Sequence, residues 1–129
     1  EKLEEAVTAL FKKLERKPTS IVIKENGNVF HLYSDEIVYC ESEGHLIHIY
    51  TKNKMYTVRM SMSALMEQLV ATNFGRPYNS YLVNFHYVRA IMQNKVLLRE
   101  CQAHIPISRT YKMSFKQAYV EYMESVLCI

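Results

Sequence analysis

Short strand-like runs separated by turn-forming residues fill most of this chain, and they constrain its fold more than any other feature. Residues 20–24 and 29–33 flank Asn26-Gly27, a pair that suits the positive-φ positions of a two-residue hairpin turn. Eight more short strands are predicted at residues 37–40, 46–51, 55–60, around 74, 82–83, 88–92, 96–99 and 104–107. Parallel-sheet runs with helical crossovers are missing, so the sequence predicts a mainly β fold of about ten short antiparallel strands.

Helical periodicity replaces the strand pattern in two places within this region. Ser61 precedes a short amphipathic helix, and Ser108 is a good N-cap for a longer helix near the C-terminus. The apolar stripe of the short helix comprises Met62, Leu65, Met66 and Leu69. The stripe of the C-terminal helix comprises Tyr111, Phe115, Ala118, Tyr119, Tyr122, Met123 and Val126. Each helix is expected to bury its stripe.

A further amphipathic helix is predicted over residues 1–17, and Pro18 ends it because proline disfavours helical geometry in the residue before it. Its apolar stripe comprises Leu3, Ala6, Val7, Leu10, Phe11 and Leu14. The segment is typical of a linker helix that is cut from a larger chain. Its stripe can pack on the domain's own sheet, on the same helix of a second subunit, or on an upstream domain, and the sequence leaves all three open.

Composition bounds the class of protein. A chain of 129 residues with 49% apolar content predicts one ordered domain with a core that needs no disulfide or metal. No apolar run approaches the roughly eighteen residues that span a bilayer, so we expect a soluble, cytoplasmic protein. Cys40, Cys101 and Cys128 are widely spaced, without a Cys-x-x-Cys pair, which predicts buried reduced thiols and no zinc site.

Positive charge is concentrated in one part of the chain. Residues 74–116 contain seven basic residues and one acidic residue, Glu100, a local excess of +6 in a chain whose total is +3. The same region contains two segments, residues 74–84 and 104–111, in which polar or basic residues form a turn beside a short apolar strand. A basic face that presents such side chains is what a protein needs to bind phosphates and contact base edges.

Catalysis and metal binding find little support in the sequence. The five histidines are His31, His45, His48, His86 and His104. Only His45 and His48 are close in sequence, and three residues apart in a strand they point to opposite faces. No glycine-rich phosphate loop and no carboxylate pair in an apolar setting is present. We therefore expect neither an enzyme nor a cofactor, and the main alternative to DNA binding is a protein-interaction or dimerisation module with a generic basic surface.

Five segments in order along residues 21–113 resemble the LytTR DNA-binding domain of bacterial response regulators. The segments are residues 35–42, 45–51, 56–59 leading into a helix with Leu65 and Leu69, 74–84, and 104–111. The resemblance implies an elongated sandwich of small antiparallel sheets over residues 18–129. It also implies the effector domain of a two-component response regulator that binds double-stranded promoter repeats, with a receiver domain upstream of Glu1 and pairing as a homodimer.

The resemblance places base-reading residues in three loops, and the matching positions are His45, Asn79 and Arg109. Arginine's fork suits the two acceptors of guanine, and the asparagine amide matches the edge of adenine. The alternatives are a salt-bridged surface arginine, an asparagine that bonds its own turn, and an exposed loop histidine. The helices are charge-balanced, nearly neutral or acidic at the end, so loops are expected to read the DNA.

Phosphate contacts are expected from residues in or beside the same loops, because a charge or hydroxyl there positions the protein without conveying sequence. The predicted phosphate-binding residues are Arg76, Tyr78, Ser80, Lys95 and Lys112. The family commonly has histidine with arginine or asparagine where this chain has Tyr78-Asn79, and Pro77 suggests a strand edge or a bulge.

Overall fold

A computed structural model describes residues 20–69 and 73–127 of the protein, with ten strands and two α helices in that part. The strands are β1 (Ser20–Glu25), β2 (Asn28–Tyr33), β3 (Ile37–Glu43), β4 (Leu46–Thr51), β5 (Met55–Arg59), β6 (Phe74–Tyr78), β7 (Tyr81–Asn84), β8 (Val88–Ile91), β9 (Lys95–Leu98) and β10 (His104–Pro106). The helices are α1 (Met62–Gln68) and α2 (Arg109–Leu127). The predicted helix over residues 1–17 and the predicted thiol of Cys128 lie outside the described residues.

The strands form three sheets, and every described pairing is antiparallel. One sheet contains β1 and β2, the second has the order β10-β9-β8, and the third has the order β5-β4-β3-β7-β6. The prediction of a mainly β fold with about ten short antiparallel strands is therefore confirmed.

The first hairpin has the turn that its sequence predicts. Asn26 has φ 52° and Gly27 has φ 80°, which are the two successive positive values of a type I′ turn. Asparagine and glycine tolerate this region better than other residues, so the pair fixes the register of β1 against β2.

Two hydrophobic clusters lie on either side of β3. The first contains Ile37 and Cys40 and joins the β1–β2 hairpin and α1 to one face of the five-stranded sheet. The second contains Val38 and Phe115 and joins α2 and the three-stranded sheet to the rest. Burial raises the pKa of the Cys40 thiol, which keeps it protonated, so the predicted buried thiol is confirmed at this position. Cys101 is a free cysteine too, but it is only half-buried, so the prediction of burial is wrong there.

A buried asparagine connects these parts. Asn84 is fully buried, and its Nδ2 donates to the backbone oxygens of Ser34 at 3.3 Å and Ile37 at 2.8 Å. Its Oδ1 accepts from the backbone N of His86 at 3.0 Å and from Nδ2 of Asn73 at 3.4 Å. The amide thereby satisfies backbone groups at the start of β3 and just after the end of β7.

The predicted cap at Ser108 is confirmed and Ser61 also caps its helix, but one residue of each predicted stripe is exposed. Ser61 accepts a hydrogen bond from the backbone N of Ala64, and Ser108 accepts one from Tyr111. Met66 is 40% exposed because it follows Leu65, which occupies the buried face of a helix with only two turns. Val126 is 57% exposed in the last turn of α2. Neither described helix is long and apolar enough to cross a membrane.

Candidate nucleic-acid interface

The turn between β3 and β4 carries the first of the three predicted base-reading residues. Gly44 has φ 61° and His45 follows it in an exposed position, which matches a two-residue turn with glycine at its first central position. Glu43 and Leu46 pair across the strands at the base of this turn. His45 therefore projects from the tip of a tight, well-defined hairpin.

The turn between β6 and β7 carries the second residue. Tyr78 pairs with Tyr81, and between them Asn79 is exposed and Ser80 is half-buried. β6 is an edge strand, and its register shifts between Gly75 and Tyr78, so both the edge and the bulge suggested by Pro77 are confirmed.

Two backbone hydrogen bonds connect this turn to its neighbours on both sides. The N–H of Ser42 donates to the oxygen of Ser80 at 2.8 Å, which fastens the end of β3 to the β6–β7 turn. On the other side, the N–H of Ser108 donates to the oxygen of Pro77 at 2.9 Å. Ser108 caps α2, so exposed Arg109 begins its first turn directly beside β6.

A fourth loop joins the same edge. Lys95 starts β9 after the turn at Gln93 and Asn94, and its oxygen accepts from the N–H of Met92 at 2.9 Å. The oxygen of Asn94 accepts from the N–H of Ile107 at 3.1 Å, one residue before the cap of α2. Backbone hydrogen bonds thus connect four loops in series. The residues in or directly beside these loops are His45, Asn79, Arg109 and Lys95. We call this row of loops the loop edge.

Arg76 has a different environment from the other predicted phosphate-binding residues. One of its terminal nitrogens donates to the backbone oxygen of Asn79, and its guanidinium lies 5.7 Å from the centre of the Tyr111 ring. Its Nε is buried without a hydrogen-bond partner among the described residues. The side chain therefore supports the β6–β7 turn and braces it against α2.

The remaining phosphate-binding candidates are exposed or half-buried. Tyr78 is 38% exposed, and its ring packs edge-on against Tyr81 at a centroid distance of 6.3 Å. Ser80, Lys95 and Lys112 are half-buried beside the same loops. Half-burial of a lysine stem leaves the ammonium in water, where it can bind a phosphate oxygen.

Two acidic residues that the sequence reasoning missed lie next to the loop edge. Glu41 accepts a hydrogen bond from the hydroxyl of Tyr81 at 3.0 Å, and Glu43 lies 3.1 Å from His48. Burial and the nearby Glu41 raise the pKa of Tyr81, so its hydroxyl stays a donor. The signal in the sequence that could have identified them is their spacing, because Glu41 and Glu43 are two residues apart in one strand and such residues share one face.

Comparison with known proteins identifies the family of this chain. A model of the LytTr DNA-binding domain matches residues 27–119, which is well over half of the chain. The chain belongs to the LytTR DNA-binding domain family. Members of this family bind DNA and are not enzymes.

The chain is also similar to regulatory proteins that are longer than it is. The chain is 26% identical over 137 residues to the transcriptional regulatory protein YpdB of Escherichia coli K12, covering 88% of this chain and 56% of that protein. It is 28% identical over 104 residues to the sensory transduction protein LytT of Oceanobacillus iheyensis, covering 74% of this chain and 42% of that protein. The chain thus spans about half the length of these relatives.

A solved structure shares the fold. It comes from Bacillus cereus and is described as the LytTr DNA-binding domain of a methyl-accepting/DNA response regulator. The TM-score is 0.67 with 18% sequence identity, and the match covers 79% of this chain and 97% of that one. This chain and that domain therefore share a fold.

Proposed function

We propose that this chain is a sequence-specific double-stranded DNA-binding domain that reads the major groove with the loop edge. The observation that carries the proposal is the series of backbone hydrogen bonds from Ser42 to Ser80, from Ser108 to Pro77, and from Ile107 to Asn94. These bonds align the loops without using the side chains of the reading residues. The exposed side chains of the loops are therefore available to a ligand along a single edge.

Each base-reading candidate has a chemistry that suits it to one kind of base edge. Arg109, which is exposed in the first turn of α2, would donate both arms of its guanidinium to O6 and N7 of a guanine. Asn79 would pair its amide with N6 and N7 of an adenine, while its backbone oxygen is already occupied by Arg76. His45 would donate to or accept from a third base, depending on its tautomer.

The phosphate-binding group surrounds these positions. Lys95 and Lys112 would supply mobile charges, and the hydroxyls of Tyr78 and Ser80 would supply hydrogen bonds to phosphate oxygens. Arg76 would contribute mainly by holding the turn, with any phosphate contact limited to the guanidinium nitrogen that does not bond Asn79.

The names of two relatives, a transcriptional regulatory protein and a sensory transduction protein, support a role in signal-dependent regulation of transcription. We propose that residues 18–129 are the effector domain of a cytoplasmic response regulator and that residues 1–17 link it to a receiver domain. Two such effectors would bind neighbouring promoter repeats as a homodimer, and isolated domains would bind weakly.

The experiment that tests this function is selection of bound duplexes from a random pool, followed by electrophoretic shifts on the selected site. We expect an enriched motif and a shift that survives excess heparin. A pool without enrichment, together with loss of the shift in heparin, would instead indicate a generic basic surface that binds acidic partners.

Substitution of two loop residues separates base contact from phosphate contact. Arg109→Ala should cost about 1–3 kcal/mol on the selected site and relax the preference at one base pair, because a bidentate contact is lost. Lys95→Ala should weaken all duplexes alike and reduce the salt slope by about one. If Arg109→Ala lowers selected and random duplex binding equally, Arg109 binds a phosphate, and specificity lies at Asn79 or His45.

A further inference from the structure

A row of hydrogen bonds runs from the β5 edge of the five-stranded sheet across one of its faces and ends at the β3–β4 turn. Oε2 of Glu25 accepts from the backbone N of Thr57 at 2.8 Å, and Oγ1 of Thr57 lies 3.0 Å from Nδ1 of His48. The other ring nitrogen of His48, Nε2, lies 3.1 Å from Oε1 of Glu43. Glu43 ends β3 and directly precedes the turn that presents His45.

The two ends of the His48–Glu43 contact differ in their exposure to solvent. The side chain of His48 is 18% exposed, whereas that of Glu43 is 77% exposed. The imidazole is thus fixed on the sheet, and the carboxylate lies at the loop edge, where a bound duplex would bring its phosphates. An uncompensated carboxylate at such a position would repel the phosphates and weaken binding.

The hydrogen-bond partners of His48 are compatible with both the neutral and the protonated ring. When the ring is neutral, Nε2–H can donate to Glu43 while Nδ1 accepts from the Thr57 hydroxyl. When the ring is protonated, both nitrogens donate, and the hydroxyl of Thr57 accepts instead. The other titratable or charged residues on this face, by strand register, are Tyr39, Glu41, Tyr50, Arg59, Tyr78 and Tyr81. No side chain has to move when the charge changes.

We propose that His48 is a positioning residue for DNA binding, which holds Glu43 against the sheet and, in its protonated form, offsets the Glu43 charge when a duplex binds. The proposal rests on the DNA-binding function proposed above. Histidine is the side chain that ordinarily changes charge between about pH 5 and 8. Duplex binding should therefore be coupled to proton uptake at His48, and affinity should rise as the pH falls.

The test compares the parent chain with His48→Gln on the selected duplex at about pH 6 and about pH 8, at fixed ionic strength. Glutamine can still donate to Glu43 but cannot take up a proton. We expect parent-like affinity at the higher pH and about twofold to fivefold weaker binding at the lower pH, the size of a partly exposed charge pair. His31→Gln is the matched control, since His31 is exposed on β2, and it should follow the parent at both values.

A double-mutant cycle with Glu43→Gln identifies the partner. In the Glu43→Gln background, His48→Gln should have no further effect at the lower pH, because the charge that favours the imidazolium is gone. Additive effects would overturn the proposal, and so would a His48→Gln variant that keeps the parent pH profile or weakens binding equally at both values. A parent chain without a specific site would instead refute the proposed function, so the two failures are distinguishable. Circular dichroism and melting would establish that each variant is folded.

Discussion

Gly75→Ala should destabilise the domain strongly, although it adds only one methyl group. A Cβ built at Gly75 would overlap Cζ of Phe85, and it would lie 2.6 Å from Cε1 of Phe85 and 3.0 Å from Cδ1 of Phe115. These distances are far below ordinary carbon contacts of about 3.5–4.0 Å. Either the ring of Phe85 or the backbone of β6 must shift.

Neither ring has space into which it can move. Phe85 and Phe115 are each 1% exposed, and their centroids are 5.4 Å apart. The ring of Phe85 also contacts Tyr119 at 5.5 Å and Tyr122 at 5.6 Å. Overpacking a close-packed core costs about 1–3 kcal/mol, and we expect the upper part of that range. For a domain of this size, a loss of about 2–3 kcal/mol lowers the melting temperature by roughly 7–13 °C.

Thermal and urea unfolding followed by circular dichroism would measure this loss. Phe85→Leu in the Gly75→Ala background should recover part of the stability, because the shorter side chain makes room for the new methyl group, although Phe85→Leu alone leaves a cavity. Gly27→Ala is the control for glycine replacement without a clash, since nothing lies within 4 Å of its Cβ and only its φ of 80° is strained. A Gly75→Ala variant that melts within about 2 °C of the parent would refute this packing argument.

Three further outcomes are expected. Log affinity for duplex against log salt should have a slope of roughly −4 to −5 if about four to six phosphates are neutralised, and a flat response in a filter-binding titration would contradict the basic loop edge. Asn84→Ala should cost about 2–4 kcal/mol in urea unfolding because it leaves the buried oxygen of Ile37 and the partly buried N–H of His86 without their partner, whereas an unchanged midpoint would show that water replaces the amide. Burial, followed by the nearby Tyr50, raises the pKa of Tyr39, so the stability that its neutral hydroxyl contributes is present below about pH 10 and lost as pH rises above it. A Tyr39→Phe variant that loses stability between neutral and alkaline pH to the same extent as the parent would argue otherwise.

Local patterns in the sequence predicted the scaffold because the forces that set it act over a few residues. The Asn26-Gly27 turn, the serine caps and the short apolar runs each depend on neighbours in the chain. Met66 shows the limit of such patterns, because it lies at one edge of its helix's apolar stripe, and the sequence does not show which edge the rest of the domain covers. The same reasoning cannot determine which strands become neighbours in a sheet.

The side-chain roles at the loop edge were only partly accessible from sequence. Exposed positions such as His45 and Asn79 follow from turn chemistry. The inward orientation of Arg76 depends on Tyr111, which lies 35 residues later in the chain and reaches it only when α2 packs on β6. The contact of His48 with Glu43 likewise requires the β3–β4 register, so periodicity alone identified His48 only as a strand residue.

The loop edge separates the bonds that hold its shape from the side chains that would read DNA. The backbone N–H groups of Ser42, Ser108 and Ile107 donate the hydrogen bonds that connect the loops, and the backbone oxygens that accept these bonds belong to neighbouring segments. A backbone bond persists whatever side chain a residue carries, so replacing His45, Asn79 or Arg109 leaves the alignment of the loops intact. Changes at the three reading positions should then alter which duplex is preferred, whereas changes at Gly75 or Asn84 should reduce stability and weaken binding to every duplex. Substitutions at these positions can therefore change the DNA sequence that the domain prefers without changing its fold.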